Sequence, residues 1–169
     1  KPFFAYVPFN AVHTPSEATK KYQDRFPDET DQTRRDYYAM ASALDDAVGS
    51  IIAALDKHGL SKNTLVIFAN DNGGPTYTRV QNNGPLKLGK LFLFEGGIRV
   101  PMVIKLPGKF EPGTVYDHPT STLDLFPTIC AAAGIELPSR VKLDGVDLTP
   151  FINGHSVGRP HATLFWSNG

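Results

Sequence analysis

The residues best able to do chemistry stand in four places. Asp71 and Asn72 are adjacent in Asn70-Asp71-Asn72-Gly73-Gly74-Pro75 and offer carboxylate and amide oxygens. Calcium takes about six to eight oxygen ligands and accepts that mixture, so a bent loop could turn both toward one cation. The same residues are ordinary turn formers, and a plain turn is the competing reading. His13, in Asn10-Ala11-Val12-His13-Thr14-Pro15, could hydrogen-bond an anionic oxygen or pass a proton, or could be a loop histidine with no task. Lys87 and Lys90 lie in Gly84-Pro85-Leu86-Lys87-Leu88-Gly89-Lys90, where backbone donors and an ammonium could meet an anion, or where a basic loop is simply solvated. Cys130, flanked by Phe126-Pro127-Thr128-Ile129 and Ala131-Ala132-Ala133, has helical spacing to apolar neighbours and reads as a small, inert core residue. His58 precedes Gly59 and suits a helix C-terminus. His118, His155 and His161 fall in apparent loops and receive no role.

Elements must position these groups. Residues 3–9, Phe-Phe-Ala-Tyr-Val-Pro-Phe, read as a buried strand ending near Asn10. Residues 14–33 read as a surface loop with a helical turn. From Arg34 to His58, apolar residues such as Tyr37, Met40, Leu44, Val48, Ile51 and Leu55 recur at three- and four-residue steps, which predicts a helix closed by Gly59. Gly49, inside it, is expected to permit close packing. Residues 64–69, Thr-Leu-Val-Ile-Phe-Ala, suit a central parallel strand buried on both faces. A Gly- and Asn-rich loop leads to a second strand over residues 100–106. Asp124 to Ala133 predicts a helix with Thr122 as N-cap and Gly134 as C-cap. Residues 163–166, Thr-Leu-Phe-Trp, suggest a last strand. Strands alternating with helices imply an α/β fold with a largely parallel sheet and flanking helices. In such sheets ligands gather at the carboxyl ends of strands. Were the first two strands parallel, His13 and Asp71-Asn72 would share one rim.

Composition narrows the classes. Seventeen basic residues balance seventeen acidic ones, so no general field draws the chain to nucleic acid or an anionic membrane, and any anion site must be local. No apolar run in the sequence approaches the length of a membrane span. One cysteine excludes an intramolecular disulfide. The chain opens at Lys1 directly into an apolar run, and we expect it to begin inside a domain.

Five segments in order resemble the type I sulfatases, arylsulfatase-like members of the alkaline phosphatase superfamily. They are Pro2-Phe3-Phe4-Ala5-Tyr6 through His13-Thr14-Pro15; Tyr38-Ala39-Met40 through Ala47-Val48-Gly49; residues 63–68 with Asp71-Asn72-Gly73; Gly89-Lys90 through Glu95-Gly96-Gly97-Ile98-Arg99-Val100-Pro101; and Leu123-Asp124-Leu125-Phe126-Pro127-Thr128 with Leu143-Asp144-Gly145-Val146-Asp147-Leu148. Leu88 stands where that family has a glycine, and Leu91-Phe92 where it has small or hydroxylated residues.

The resemblance implies an incomplete alkaline phosphatase-like α/β fold. Residues 1–150 would be the C-terminal part of the catalytic domain, and residues 151–169 the start of a smaller subdomain. It implies sulfuric ester hydrolysis in the intact protein, with Asp71 and Asn72 as Ca2+ ligands and with Lys90 and His13 at the sulfate and its leaving oxygen. The family's nucleophile is a formylglycine made from a Cys or Ser in a Cys/Ser-x-Pro/Ala-x-Arg motif. No such motif occurs here, since Cys130 is followed by Ala131-Ala132-Ala133-Gly134. The nucleophile is therefore expected N-terminal to Lys1 in the family order. The substrate would be a small sulfate ester or a sulfated glycan, and the resemblance is compatible with periplasmic, secreted or lysosomal placement. The 169 residues alone are expected to lack activity and to self-associate. A phosphonate or phosphodiester hydrolase of the same superfamily, or a non-catalytic binding protein on the same fold, are the rival readings.

Overall fold

The computed structural model describes residues 1–167, so the last two residues of the 151–169 segment lie outside the described residues. The chain forms two compact units, one of Lys1–Gly59 with Pro75–Asn82 and one of Leu60–Gly74 with Asn83–Gly169.

The first unit holds two helices, α1 (Lys20–Gln23) and α2 (Gln32–Lys57). Asp31 caps α2 by accepting from the Arg34 N–H at 2.9 Å, which satisfies one of the donors a helix start leaves unpaired. The predicted start at Arg34 is thus two residues late, and Gly59 closes the helix at φ +68°, as the pattern requires. Side chains tie the two helices together. Gln23 Nε2 donates to Asp36 at 2.6 Å, and Arg25 forks onto the Asp46 carboxylate at 2.7 and 3.1 Å. Phe26 tilts against Tyr38 with ring centroids 5.6 Å apart, and Ala39 is fully buried beneath. Gly49 differs from expectation, because a Cβ there would meet no atom within 4 Å. By length and composition α2 could cross a membrane, against the sequence expectation. Asp45 and Asp46 near its middle oppose that, since a carboxylate at the centre of a spanning helix costs about 2.5–3.5 kcal/mol.

Residues 3–9 form no strand. Phe3, Phe4 and Tyr6 are exposed at 58%, 74% and 79%. A strand exists by pairing, and no described residue pairs with this run.

The second unit carries β1 (Val66–Ala69), α3 (Glu95–Ile98), β2 (Met102–Lys105), α4 (Leu125–Ala132) and α5 (Thr149–Ile152). Both strands fall where the apolar runs place them, but they pair antiparallel, with Val66 opposite Lys105 and Ala69 opposite Met102. The expected parallel sheet is therefore not what the described residues form. A parallel pair needs a crossover that packs on the sheet, usually a helix. Here the connection from residue 70 to 101 folds into turns and the single-turn α3. The expected strand at residues 163–166 is irregular, and Phe165 is 89% exposed.

Helix α4 starts differently from the prediction. Ser121, not Thr122, is the cap of a 3-10 turn that runs straight into the helix. The Ser121 hydroxyl accepts from the Leu123 N–H at 3.2 Å, while Asp124 accepts from the Ser121 N–H at 2.7 Å. This reciprocal arrangement is a capping box. Helix α4 buries Thr128 and Cys130. Beside it Leu148 is fully buried, so this helix and residues 145–148 make the core of the second unit.

Candidate functional site

Asp71 and Asn72 follow β1 directly. The Asp71 carboxylate accepts from the Asn72 N–H at 2.9 Å, and Asn72 Nδ2 donates to the Gly73 carbonyl at 3.0 Å. The turn chemistry is therefore real. It also leaves Asp71 exposed and Asn72 half-buried at the strand end. A carboxylate beside an amide oxygen is a hard donor set that suits calcium or magnesium. Among the described residues no group of three acidic, histidine or cysteine side chains could hold a metal, so these two oxygens would supply only part of a coordination shell.

Beyond Asn72 the backbone is drawn into a glycine-built knot. Gly73 N–H donates to the Gly97 carbonyl at 2.9 Å, Gly96 N–H to Lys87 at 2.9 Å, and Lys90 N–H to Gly74 at 3.3 Å. Gly73, Gly89, Gly96 and Gly97 are buried, and a Cβ on any of them would overlap a carbonyl oxygen of the neighbouring segment. Glycine is required here by close backbone approach. The knot places the Asp71-Asn72 turn and the Lys90 loop on one scaffold. Leu88 and Leu91 flank Lys90 with φ of +59° and +77°, a left-handed conformation that costs a branched residue about 1–3 kcal/mol. The knot holds them there. Lys90 is half-buried, whereas Lys87 lies over the Phe94 ring at 4.5 Å and is engaged with it.

His13 belongs to the first unit. Its N–H donates to the Asn10 carbonyl at 2.8 Å, closing a turn after the apolar run. Its Nδ1 stands 2.8 Å from the Thr14 carbonyl, which can only accept, so Nδ1 is the donor of that bond. Cys130 is buried, 7% exposed, as its spacing predicts.

Two features escaped sequence reasoning. Asn83 binds Gly74 through both backbone groups, with Oδ1 accepting at 3.1 Å and Nδ2 donating at 2.7 Å, and Nδ2 also donates to Leu88 at 3.0 Å. In Asn82-Asn83-Gly84-Pro85 it looks like any turn residue. Asp124 and His161 form a buried pair, and Thr128 links it onward. The Thr128 hydroxyl donates to the Asp124 carbonyl and accepts from the Leu148 N–H, at 2.7 and 2.9 Å. An acid amid Leu123, Leu125 and Phe126 was the available signal at one end; His161 carries none.

Comparison with known proteins agrees with this architecture. The family model described as Sulfatase matches residues 1–135. The Escherichia coli K12 protein named "Uncharacterized sulfatase YdeN" is 37% identical over 168 residues, covering 98% of this chain and 30% of its own length. Rat steryl-sulfatase is 39% identical, covering 97% of this chain and 29% of its own length. Among solved structures, Ps i-CgsB in complex with k-i-k-neocarrahexaose superposes with a TM-score of 0.83 at 38% identity, covering 89% of this chain and 33% of that one. The chain thus spans about a third or less of the proteins it matches.

Proposed function

The chain belongs to the sulfatase family, and from that premise we propose that it carries part of the active site of a sulfate ester hydrolase. Residues 1–150 would be the C-terminal part of the catalytic domain, and residues 151–169 would open a smaller subdomain. The observation that carries the reading is the knot. Through Gly73 and Gly74 it binds the turn bearing Asp71 and Asn72 to the loop bearing Lys90. A cation held by the oxygen-rich turn, with an ammonium on the same scaffold, would suit a tetrahedral anion.

Each residue then has a task. The Lys90 ammonium opposes charge on the sulfuryl oxygens, and it gains strength as the site excludes water. His13 Nε2 delivers a proton to the departing oxygen, with the Nδ1 bond to Thr14 fixing the ring. Asp71 and Asn72 would hold Ca2+, which when bound polarises a sulfuryl oxygen as a Lewis acid. The nucleophile is expected N-terminal to Lys1 in the family order. The substrate is read as a sulfated glycan. Support for that comes from Ps i-CgsB, which is 38% identical and solved with k-i-k-neocarrahexaose.

The test uses the full-length protein with an aryl sulfate, sulfated oligosaccharides and a bis-aryl phosphodiester. Sulfate release that depends on calcium and falls about 10²–10³-fold in Lys90→Ala is the expected result. Preferential phosphodiester cleavage would move the protein to the sister chemistry. Calcium binding with no turnover of any ester would make it a binding protein on this fold.

A further inference from the structure

We propose that Asn83 is a positioning residue that sets Lys90 against the Asp71-Asn72 turn, an inference that rests on the reading above for what Lys90 does. The half-buried Asn83 amide commits both of its hydrogens and its oxygen to the two segments it joins. Oδ1 accepts from Gly74 N–H at 3.1 Å, while Nδ2 donates to the Gly74 carbonyl at 2.7 Å and the Leu88 carbonyl at 3.0 Å. On Gly74 it therefore takes both backbone groups, as a neighbouring strand would. Gly74 stands two residues after Asn72, and Leu88 two residues before Lys90. The same Gly74 carbonyl also accepts the Lys90 N–H at 3.3 Å, so one oxygen is the meeting point of side chain and lysine loop.

An amide is the chemistry this place requires. Both donations go to carbonyls and the acceptance comes from an N–H, so the fork must carry donor and acceptor in one plane. A carboxylate of the same shape would keep the acceptance and turn both donations into oxygen–oxygen repulsion. A hydroxyl could not span three partners. Leu88, held at φ +59°, is the segment most apt to relax once its carbonyl is released, and its relaxation would carry Lys90 with it.

The experiment uses the full-length protein with Asn83→Ala, the isosteric Asn83→Asp, Lys90→Ala and the double variant Asn83→Ala/Lys90→Ala. Expected are a fall in kcat for sulfate release of about 10–100-fold in both single Asn83 variants, with KM within about threefold. The double variant should be no slower than Lys90→Ala alone, because Asn83 acts through Lys90. Losses that add in the double variant, or unchanged kcat in Asn83→Asp, overturn the proposal. Amide hydrogen exchange separates this result from the function itself. Faster exchange at the Lys90 amide in Asn83→Asp, and at both the Gly74 and Lys90 amides in Asn83→Ala, is expected whatever ester the enzyme cleaves. Unchanged exchange there sinks the positioning role, whereas a wild-type protein that releases no sulfate sinks only the sulfatase reading.

Discussion

Asp124 receives His161 on both carboxylate oxygens, with Nε2 at 2.8 and 2.9 Å from Oδ1 and Oδ2, across 37 positions of sequence. Asp124 is fully buried and His161 nearly so, their side chains 0% and 9% exposed. The same carboxylate accepts the Ser121 and Val146 N–H groups at 2.7 and 2.9 Å. One side chain thus joins the start of α4, the segment before Leu148, and the chain beyond α5.

Truncating that hub should loosen the core of the second unit. Asp124→Ala strands His161 and two backbone donors, and should cost about 3–5 kcal/mol, the range for breaking a buried pair from one side. His161→Ala leaves Asp124 its two backbone donors and should cost about 1–3 kcal/mol. Hydrogen exchange at the Val146 and Leu148 amides reads both effects. Equal and small losses would show that the pair is not what holds residues 145–148.

The glycine knot predicts opposite outcomes for two identical substitutions. Gly96→Ala drives a Cβ into the Leu88 and Lys87 carbonyl oxygens, where only backbone could yield, and should destabilise by about 3 kcal/mol or more. Gly49→Ala meets nothing within 4 Å in the interior of α2, and should stabilise by about 0.5–1 kcal/mol. Thermal unfolding of the two variants would decide. A destabilising Gly49→Ala would mean that this helix face is covered in the intact protein.

Acid should weaken the first unit through Asp46. The Arg25 guanidinium, by hydrogen bond and charge, holds the Asp46 carboxyl below its ordinary value of 3.8. A carboxyl depressed in the folded state contributes stability above its unfolded pKa and loses it as pH falls through the folded value. The contribution is therefore present at pH 5 and above, begins to fall near pH 4, where the unfolded carboxyl takes up its proton, and is lost only as pH drops through the lower folded value. Denaturant midpoints of wild type and Asp46→Asn should differ at pH 6 and converge toward pH 3. A constant difference across that range would remove the ion pair from the account. The pair is exposed, so the effect is small and weakens with salt.

Cys130 should be chemically quiet. It lies 7% exposed on the inner face of α4, and its spacing to Phe126 and Ala133 foretold a core place. A thiol reagent should label it slowly in the folded protein and rapidly in denaturant, and mass spectrometry should find the side chain unmodified. Fast labelling under native conditions would show that α4 opens locally.

Sequence alone determined what local physics controls. The period of apolar residues placed α2 to within two residues at its start, the Gly59 and Gly134 closures follow from left-handed φ, and α4 and both strands lie where their apolar runs predicted. The order of the five motifs identified the family. Tertiary structure decided everything carried by pairing between distant segments. The sense of the β1–β2 ladder depends on how residues 70–101 return, not on the apolar content of either strand. The extended state of residues 3–9 depends on a neighbour, which their composition cannot supply. Asn83 and His161 look like loop residues because their partners are backbone groups and a carboxylate that only the folded chain brings within 3.1 Å. Periodicity records which face of an element is buried; it holds no record of which polar group waits on the other side.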